Sequence, residues 1–157
     1  MKQTRRTFLK GAGAASTVAV AIGAGLLKPS GVLAAEWNKS AFDAKTPADA
    51  LKGIGAAGNP ADSKDILIKA PDIAENGAVV PVEITSRIPG TQSISILAAA
   101  NAQPLVADFD LANGAEGYVS TRIKMGKTSS VQAVVQAGGK FYSAAKEVKV
   151  TIGGCGG

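Results

Sequence analysis

The sequence predicts an all-β fold, an antiparallel β-sandwich preceded by a short helix. After Asn59-Pro60, apolar and polar residues alternate with the period of two that is typical of half-buried strands. Turn dipeptides such as Asn76-Gly77 and Gly138-Gly139 interrupt this alternation at intervals of about a dozen residues, the spacing expected of a sandwich. No helical pattern follows Gly58, which disfavours a doubly wound α/β fold.

Residues 1–34 have the composition of an export signal. A basic start is followed by an apolar stretch from Gly11 to Leu27, too weakly hydrophobic for a retained membrane span, and by small residues at Val32-Leu33-Ala34. The run from Thr4 to Lys10 closely matches the twin-arginine signal, whose receptor reads Arg5 and Arg6 directly. The alternative is an ordinary secretory leader with two adjacent arginines. We expect export to the periplasm by the twin-arginine pathway, which carries folded proteins and suits a chain that leaves with a partner subunit.

The net charge of +5 comes from this leader. It holds five of the 17 basic residues and none of the 12 acidic ones, so residues 35–157 carry twelve of each and contain no basic run suited to phosphate binding. The chain has no histidine and one cysteine, which excludes Ser-His-Asp and Cys-His sites, His-ligated metals, zinc sites and Cys-x-x-Cys redox pairs. We therefore expect no catalytic residues, no metal and no cofactor.

The segment from 35 to 58 has a helical pattern. Thr46-Pro47-Ala48-Asp49 combines a hydroxyl cap, a proline in the first turn and an acid that faces the helix dipole. An apolar face is predicted for Phe42, Ala50, Leu51 and Ile54, and the glycines at 53, 55 and 58 are expected to end the helix.

Residues 59–152 supply at least eight candidate strand segments, beginning with Ile66 to Ala70. The alternation assigns residues to shared faces, and the predicted sets are Val80, Val82 and Ile84; Leu105, Ala107, Phe109 and Leu111; Val119, Thr121, Ile123 and Met125; and Val148, Val150 and Ile152. Further segments are predicted at Ile94 to Ala98, at Val131 to Ala137 and, after the Gly-Gly hairpin, at Phe141 to Ile152.

A further prediction concerns the position of the strand that contains Pro81. Proline cannot donate to a strand ladder, so its strand is predicted to lie at a sheet edge or on a bulge. An edge is also where a second chain can add a strand. The strand with Pro81 and the helix around Thr46 to Ile54 are therefore the candidate regions for contact with a partner.

The chain continues after Ile152 as Gly153-Gly154-Cys155-Gly156-Gly157. These residues have no apolar side chain that could dock on the sandwich, so we expect a flexible arm with the thiol of Cys155 near its tip. No neighbouring base, cation or helix N-terminus would activate this thiol, which suits delivery better than catalysis. An unpaired cysteine in an exported protein also suits an intermolecular disulfide. A buried thiol, lipid attachment and an added tag fit this setting less well.

The residues resemble the SoxY family of sulfur-carrier subunits. The resemblance is carried by the terminal Gly-Gly-Cys-Gly-Gly after a Lys-Val-Thr-Ile strand, by the run from Ala70 to Val82, by Thr121-Arg122-Ile123-Lys124-Met125 and by the twin-arginine leader. It spans nearly the whole exported chain. It implies an immunoglobulin-like sandwich that acts in periplasmic thiosulfate oxidation, with Cys155 as the covalent attachment point and the four glycines as a slim tether.

The resemblance also implies partners. These are a second sandwich subunit, SoxZ, in a heterodimer, and transient contacts with a haem c enzyme that links thiosulfate to Cys155 as a cysteine S-thiosulfonate, a manganese-dependent hydrolase that releases sulfate, and a sulfane dehydrogenase. Two other functions stay open on the residues alone. One is a structural subunit cross-linked through Cys155, and the other, disfavoured by the lack of histidine, is an independent thiol enzyme.

Overall fold

The structure, a computed structural model, describes residues 37–112 and 114–151. Within these ranges the chain forms two short helices and nine strands, in the order α1 (Lys39–Phe42), α2 (Pro47–Gly53), β1 (Ala61–Asp62), β2 (Ile66–Lys69), β3 (Ile73–Ala74), β4 (Val80–Ser86), β5 (Thr91–Ala98), β6 (Leu105–Asp110), β7 (Tyr118–Ile123), β8 (Ser129–Ala137) and β9 (Lys140–Val150). Neither helix is long and apolar enough to cross a membrane.

The strands form two sheets. The larger sheet has the order β1-β9-β8-β5-β6, with β3 also paired to β9, and the smaller sheet has the order β2-β4-β7. All of the longer strands pair antiparallel, as predicted, and β8 and β9 are joined by the expected glycine hairpin. Gly138 and Gly139 have φ values of 56° and 72°, the left-handed conformation that a tight two-residue hairpin turn requires.

The main core lies between the sheets. Its fully buried members include Val80, Val82 and Ile84 from β4 and Ile94 and Ile96 from β5. Alternation explains this arrangement, because every second residue of each strand points into the space between the sheets. Val119, Ile123 and Met125 also lie in this core, as the predicted face of their segment requires.

The helical pattern before Gly58 forms two helices and not one. Thr46 adopts an extended conformation and its hydroxyl accepts a hydrogen bond from the Asp49 amide, so the predicted cap is present. The break at Thr46 has a local cause, since a residue that precedes proline disfavours the helical conformation. The Asn38 side chain caps α1 and donates to the Gly53 carbonyl at 2.7 Å, which ties the two helices together.

The helices cover the outer face of the larger sheet. Ala41 and Ala50 pack with Leu97, Leu105 and Val134 in a second buried cluster. The predicted helical face, which comprises Phe42, Ala50, Leu51 and Ile54, contributes to this cluster. The helices thus bury apolar residues of the sheet that would otherwise face solvent.

The expectation for Pro81 was wrong. Its strand, β4, is the central strand of the smaller sheet, and its pairing with β7 runs without a bulge. The proline is tolerated because the pairing of β2 with β4 ends at Glu83. Among the described residues, no strand therefore pairs with Pro81 on the side of β4 that faces away from β7, where an amide hydrogen would be needed. One position of a central strand can therefore behave as an edge position.

The predicted face of β6 was wrong at Leu105. The pairing of β5 with β6 shifts register between Ile96 and Leu97, which leaves Val106 as an extra residue. Beyond this bulge Leu105 lies in the cluster under the helices, whereas Ala107 and Phe109 pack on the main core. A bulge exchanges the two faces of a strand, and alternation alone does not reveal it.

A polar pair lies near the edge of the larger sheet. The hydroxyl of Ser95, which is 3% exposed, donates to Asp108 at 2.7 Å. Asp108 keeps contact with solvent, yet partial burial raises the pKa of its carboxyl. The hydrogen bond from Ser95 opposes this shift without cancelling it, and the nearby charge of Asp110 adds a smaller contribution in the raising direction. The folded state therefore binds a proton at Asp108 more tightly than the unfolded chain does.

This shift predicts a pH-dependent effect of Asp108→Asn. A raised carboxyl pKa costs stability at neutral pH, and the cost disappears as pH falls through the folded-state pKa. The melting temperature of the variant relative to wild type should therefore be higher at pH 7 than at about pH 3. Thermal unfolding followed by circular dichroism measures this, with Glu116→Gln as a control for the change in net charge. A difference that stays constant with pH would contradict the assignment.

Candidate functional site

The end of β9 is the place from which the chain leads to its cysteine. Thr151 is the last described residue, and Cys155 follows four positions later. Cys155, the glycines at 153, 154, 156 and 157, and the leader with Arg5 and Arg6 all lie outside the described residues. The structure therefore describes the end of β9 and the residues that hold it, here together called the base.

Hydrogen bonds hold this base on both edges of β9. On one edge, β3 runs parallel to it, and the amides of Lys149 and Thr151 donate to the carbonyls of Asp72 and Ala74 at 3.0 and 3.1 Å. On the other edge, the Thr128 hydroxyl accepts from the Val150 amide at 2.9 Å and donates to the Val150 carbonyl at 3.4 Å. The backbone is thus fixed up to Thr151, four residues before the cysteine.

Lys146 fixes the connection between β2 and β3. Its ammonium donates to the Ala70 carbonyl at 2.6 Å and lies 3.0 Å from the carboxylate of Asp72. Asp72 is exposed, so the ion pair contributes little, but a charged donor to a backbone carbonyl is one of the stronger hydrogen bonds. Through this contact Lys146 holds the residues that pair with the end of β9.

Gly77 permits a close approach at the same place. A Cβ at this position would meet the Met125 carbonyl oxygen and would lie 2.8 Å from Cγ1 of Val150. The Met125 amide in turn donates to the Gly77 carbonyl at 2.7 Å. The Asn76 side chain accepts from the Ala78 amide at 2.9 Å, which forms the turn that brings Gly77 against the strand. The predicted turn dipeptide is therefore also a packing element of the base.

The surface around this base carries charges of both signs. Lys127 and Lys149 are exposed there, and so are Asp72 and Glu75. Within residues 37–112 and 114–151, no group of three potential ligands among His, Cys, Asp and Glu lies together as a metal site would require. What the contacts of these residues do is hold a chain segment in a fixed position.

Two shallow depressions lie elsewhere. One of about 330 Å³ is lined by residues 56–61 and 139–142, and one of about 390 Å³ is lined by residues 62–64 and 143–145. Both are open to solvent and neither includes a residue that holds the end of β9. They lie along the opposite half of that strand from Thr151.

Sequence reasoning missed three parts of the base, namely β3, the Thr128 hydroxyl and the Lys146 contact. A strand of two residues shows no alternation, and the partners of Thr128 and Lys146 are distant in sequence. Asn76-Gly77 was the one usable signal, although it predicted only a turn. The fold and the anchored strand end together define the class of protein, a β-sandwich whose single cysteine follows four positions in sequence after an anchored strand end.

A family model described as sulfur oxidation protein SoxY matches residues 52–155, and the chain therefore belongs to the SoxY family. Among solved structures, the sulfur carrier protein SoxY from Chlorobium limicola f thiosulfatophilum is similar at 46% sequence identity and a TM-score of 0.62, covering 73% of this chain and 99% of that one. This likeness confirms the predicted immunoglobulin-like sandwich and the resemblance from which it came.

A second solved structure shows the fold alone. The superoxide reductase (neelaredoxin) from Ignicoccus hospitalis is similar at 17% identity and a TM-score of 0.50, covering 55% of this chain and 80% of that one. A search of curated proteins gave no match. The sandwich architecture is thus shared with proteins of different function, as is common for this fold.

Removal of the Thr128 hydroxyl should loosen the base. In Thr128→Val the Val150 amide loses its acceptor, so exchange of the Val150 and Thr151 amides should become about tenfold faster, equivalent to about 1.4 kcal/mol of local opening energy. Thr128→Ser keeps the hydroxyl and should exchange close to the wild-type rate. Hydrogen exchange followed by mass spectrometry or NMR measures both variants. Equal exchange in Val and Ser variants would show that this hydroxyl does not fix the strand end.

Gly77→Ala should destabilise the fold by about 1–3 kcal/mol, because the added methyl group meets the Met125 carbonyl and Val150. Gly126→Ala is the matched control, since its Cβ would meet only the Asn101 side chain, at an ordinary 3.8 Å. Urea denaturation of both variants measures the free energy of unfolding. A Gly77 variant as stable as the Gly126 variant would contradict the close packing described.

Proposed function

We propose that this chain carries thiosulfate-derived sulfur covalently on Cys155 and presents it to partner enzymes. The sulfur-carrier role in thiosulfate oxidation follows from membership of the SoxY family. The assignment to Cys155 is supported by one observation above all. The only cysteine of the chain lies four residues beyond a strand end that hydrogen bonds hold on both edges.

The spacing suits delivery into narrow pockets. From Thr151, four residues of extended chain reach about 13 to 14 Å, enough to carry a thiol below the surface of another protein. Two glycines on each side of Cys155 keep the chain slim, because each pocket must admit the backbone as well as the sulfur. A short tether also keeps the bound intermediate at high effective concentration before each pocket.

The loading step is an oxidation that joins two sulfur atoms. The thiol of Cys155 and the outer sulfur of thiosulfate form an S–S bond, which gives a cysteine S-thiosulfonate and releases one proton and two electrons. The electrons pass to the haem c enzyme proposed for this step. Hydrolysis then cleaves the bond between the outer sulfur and the sulfonate group. The sulfonate sulfur takes the oxygen of water and leaves as sulfate, two protons are released, and a persulfide anion stays on Cys155.

The carrier is proposed to be non-catalytic. The chain has no histidine, the residue type that most often serves as a general base near neutral pH. Because the thiolate is the reactive form of a cysteine, activation of the thiol is proposed to fall to the pocket that receives it. This division is consistent with a subunit that works within a multienzyme system.

The proposed setting is the periplasm, reached through the twin-arginine signal at Arg5 and Arg6. The proposed partners are a SoxZ-like sandwich subunit in a heterodimer and, in transient contacts, the haem c enzyme, the sulfate-releasing hydrolase and a sulfane dehydrogenase. The leader sequence supports the first proposal and family membership supports the second.

The carrier function predicts a labile adduct on Cys155. The protein isolated from cells supplied with thiosulfate should show an added mass on the peptide that contains Cys155, and a thiol reductant should remove it. Cys155→Ser should carry no adduct and should abolish thiosulfate oxidation. Its melting temperature should stay within about 2 °C of wild type, because Cys155 follows the last strand and the arm is proposed not to pack on the sandwich. Intact-mass and peptide mass spectrometry measure the adduct.

Two results would contradict this function. One is undiminished thiosulfate oxidation by Cys155→Ser. The other is a wild-type protein that accumulates as a reducible covalent dimer and never carries the adduct, which would establish Cys155 as a cross-link between subunits. Replacement of Gly154 by valine separates the two functions further, since a cross-link tolerates the bulk and a narrow pocket does not.

A further inference from the structure

Asn76 differs from the other described asparagines in the groups that surround its side chain. Asparagines at positions 38, 59, 76 and 101 lie within the described residues. Asn59 precedes proline, whose nitrogen carries no hydrogen and cannot act as a nucleophile. Asn38 and Asn101 each donate the side-chain amide to a backbone carbonyl at 2.7 Å. Of these four asparagines, Asn76 is the one that glycine follows.

The surroundings of Asn76 favour attack on its side-chain carbon. The residue is exposed, and Gly77 has no side chain to obstruct an approaching group. The side-chain oxygen accepts a hydrogen bond from the Ala78 amide at 2.9 Å, which stabilises negative charge that develops on this oxygen during attack. Within residues 37–112 and 114–151, neither the side-chain nitrogen of Asn76 nor the backbone amide of Gly77 has a hydrogen-bond partner. The leaving group and the nucleophile are therefore both free to react.

We propose that Asn76 is a modification site, and that its conversion to isoaspartate loosens the base. The backbone nitrogen of Gly77 gives up its proton and bonds to Cγ of Asn76, the bond from Cγ to Nδ2 breaks, and the departing nitrogen takes up a proton and leaves as ammonia. Water then opens the cyclic imide at one of its carbonyl groups. Opening at the side-chain carbonyl gives aspartate, whereas opening at the backbone carbonyl gives isoaspartate, in which the main chain runs through the side chain.

Isoaspartate changes the turn that holds Gly77 in place. It adds a methylene group to the main chain, and it converts the backbone carbonyl of residue 76, which accepts from the Val79 amide at 3.3 Å, into a free carboxylate. The Gly77 carbonyl accepts from the Met125 amide at 2.7 Å, and a Cβ on Gly77 would lie only 2.8 Å from Cγ1 of Val150. A longer main chain displaces Gly77 from this close fit.

The change reaches the end of β9 through β3. Ala74 lies two residues before Asn76, and its carbonyl accepts from the Thr151 amide at 3.1 Å. A displaced turn therefore weakens the pairing that holds the strand end. The aspartate product has a different effect, because its main chain is unchanged and its carboxylate can still accept from the Ala78 amide. Loosening of the base is thus specific to isoaspartate.

The first test follows the full processed protein at mildly alkaline pH over several days, with peptide mass spectrometry that distinguishes isoaspartate from aspartate. Asn76 should convert at least about tenfold faster than Asn38 and Asn101 in the same sample, with isoaspartate among its products. Peptide mapping separates Asn76 from Asn113, which glycine also follows. Asn76→Ser is the matched control, since its hydroxyl can accept from the Ala78 amide but cannot form the imide. Conversion of Asn76 no faster than that of Asn38 and Asn101 would overturn the modification site.

Hydrogen exchange tests the effect on the base. In the isoaspartate form, separated by ion-exchange chromatography, the Lys149 and Thr151 amides should exchange about tenfold faster than in Asn76→Ser kept for the same time. Asn76→Asp carries the new charge without the altered main chain, so its amides should exchange within about twofold of the wild-type rate. Equal exchange in the isoaspartate form and in Asn76→Ser, or an equal acceleration in Asn76→Asp, would overturn the proposed loosening. Neither test uses the thiol of Cys155, so the result is independent of the proposed carrier function.

Discussion

The pairing of β9 on both of its edges is the constraint on which the functional end of the molecule depends. A final strand with one free edge would fray, and the distance over which the thiol can move would then be undefined. Here the amides of Lys149 and Thr151 donate to carbonyls on the β3 side, and the amide of Val150 donates to the Thr128 hydroxyl. Lys146, Gly77 and the turn at Asn76 all serve to bring or keep β3 in that place. The position of the strand end is therefore set by residues from three separate parts of the chain.

The sandwich could be predicted from the sequence because the patterns that indicate its strands and turns each lie within a short stretch of chain. Alternation in the segments around Val82 and Ile123 and the glycine hairpin at Gly138-Gly139 each identify an element within about ten residues, and the Thr46 cap identifies the helix start in the same way. The errors arose where one local rule has two structural solutions. Pro81 excludes a hydrogen bond at one position, which an edge strand and a short neighbouring strand both achieve, and the bulge at Val106 changes faces without a change in composition.

For the candidate site, one part could be predicted from the sequence and the other part required the structure. Cys155 and its glycines are evident from composition, since the chain has one cysteine and no histidine. The base that presents them could not be inferred, because its hydrogen bonds join residues far apart in sequence and include backbone groups that every residue possesses. A hydroxyl such as that of Thr128 has no distinguishing mark in a sequence until its partner is known. The sulfur-carrier role is known from family membership, and the base is known from the structure.

The contact of Lys146 with the Ala70 carbonyl has a consequence for the order of folding. It joins residues 76 positions apart, and the pairing of β3 with β9 spans a similar separation. Contacts of such long range carry a larger loop-closure entropy than the hairpins and are expected to form after them. The base is therefore among the last parts of the molecule to assemble. A chain arrested part-way through folding lacks the anchored end of β9 from which the chain leads to Cys155, so the base is present only in the fully folded protein.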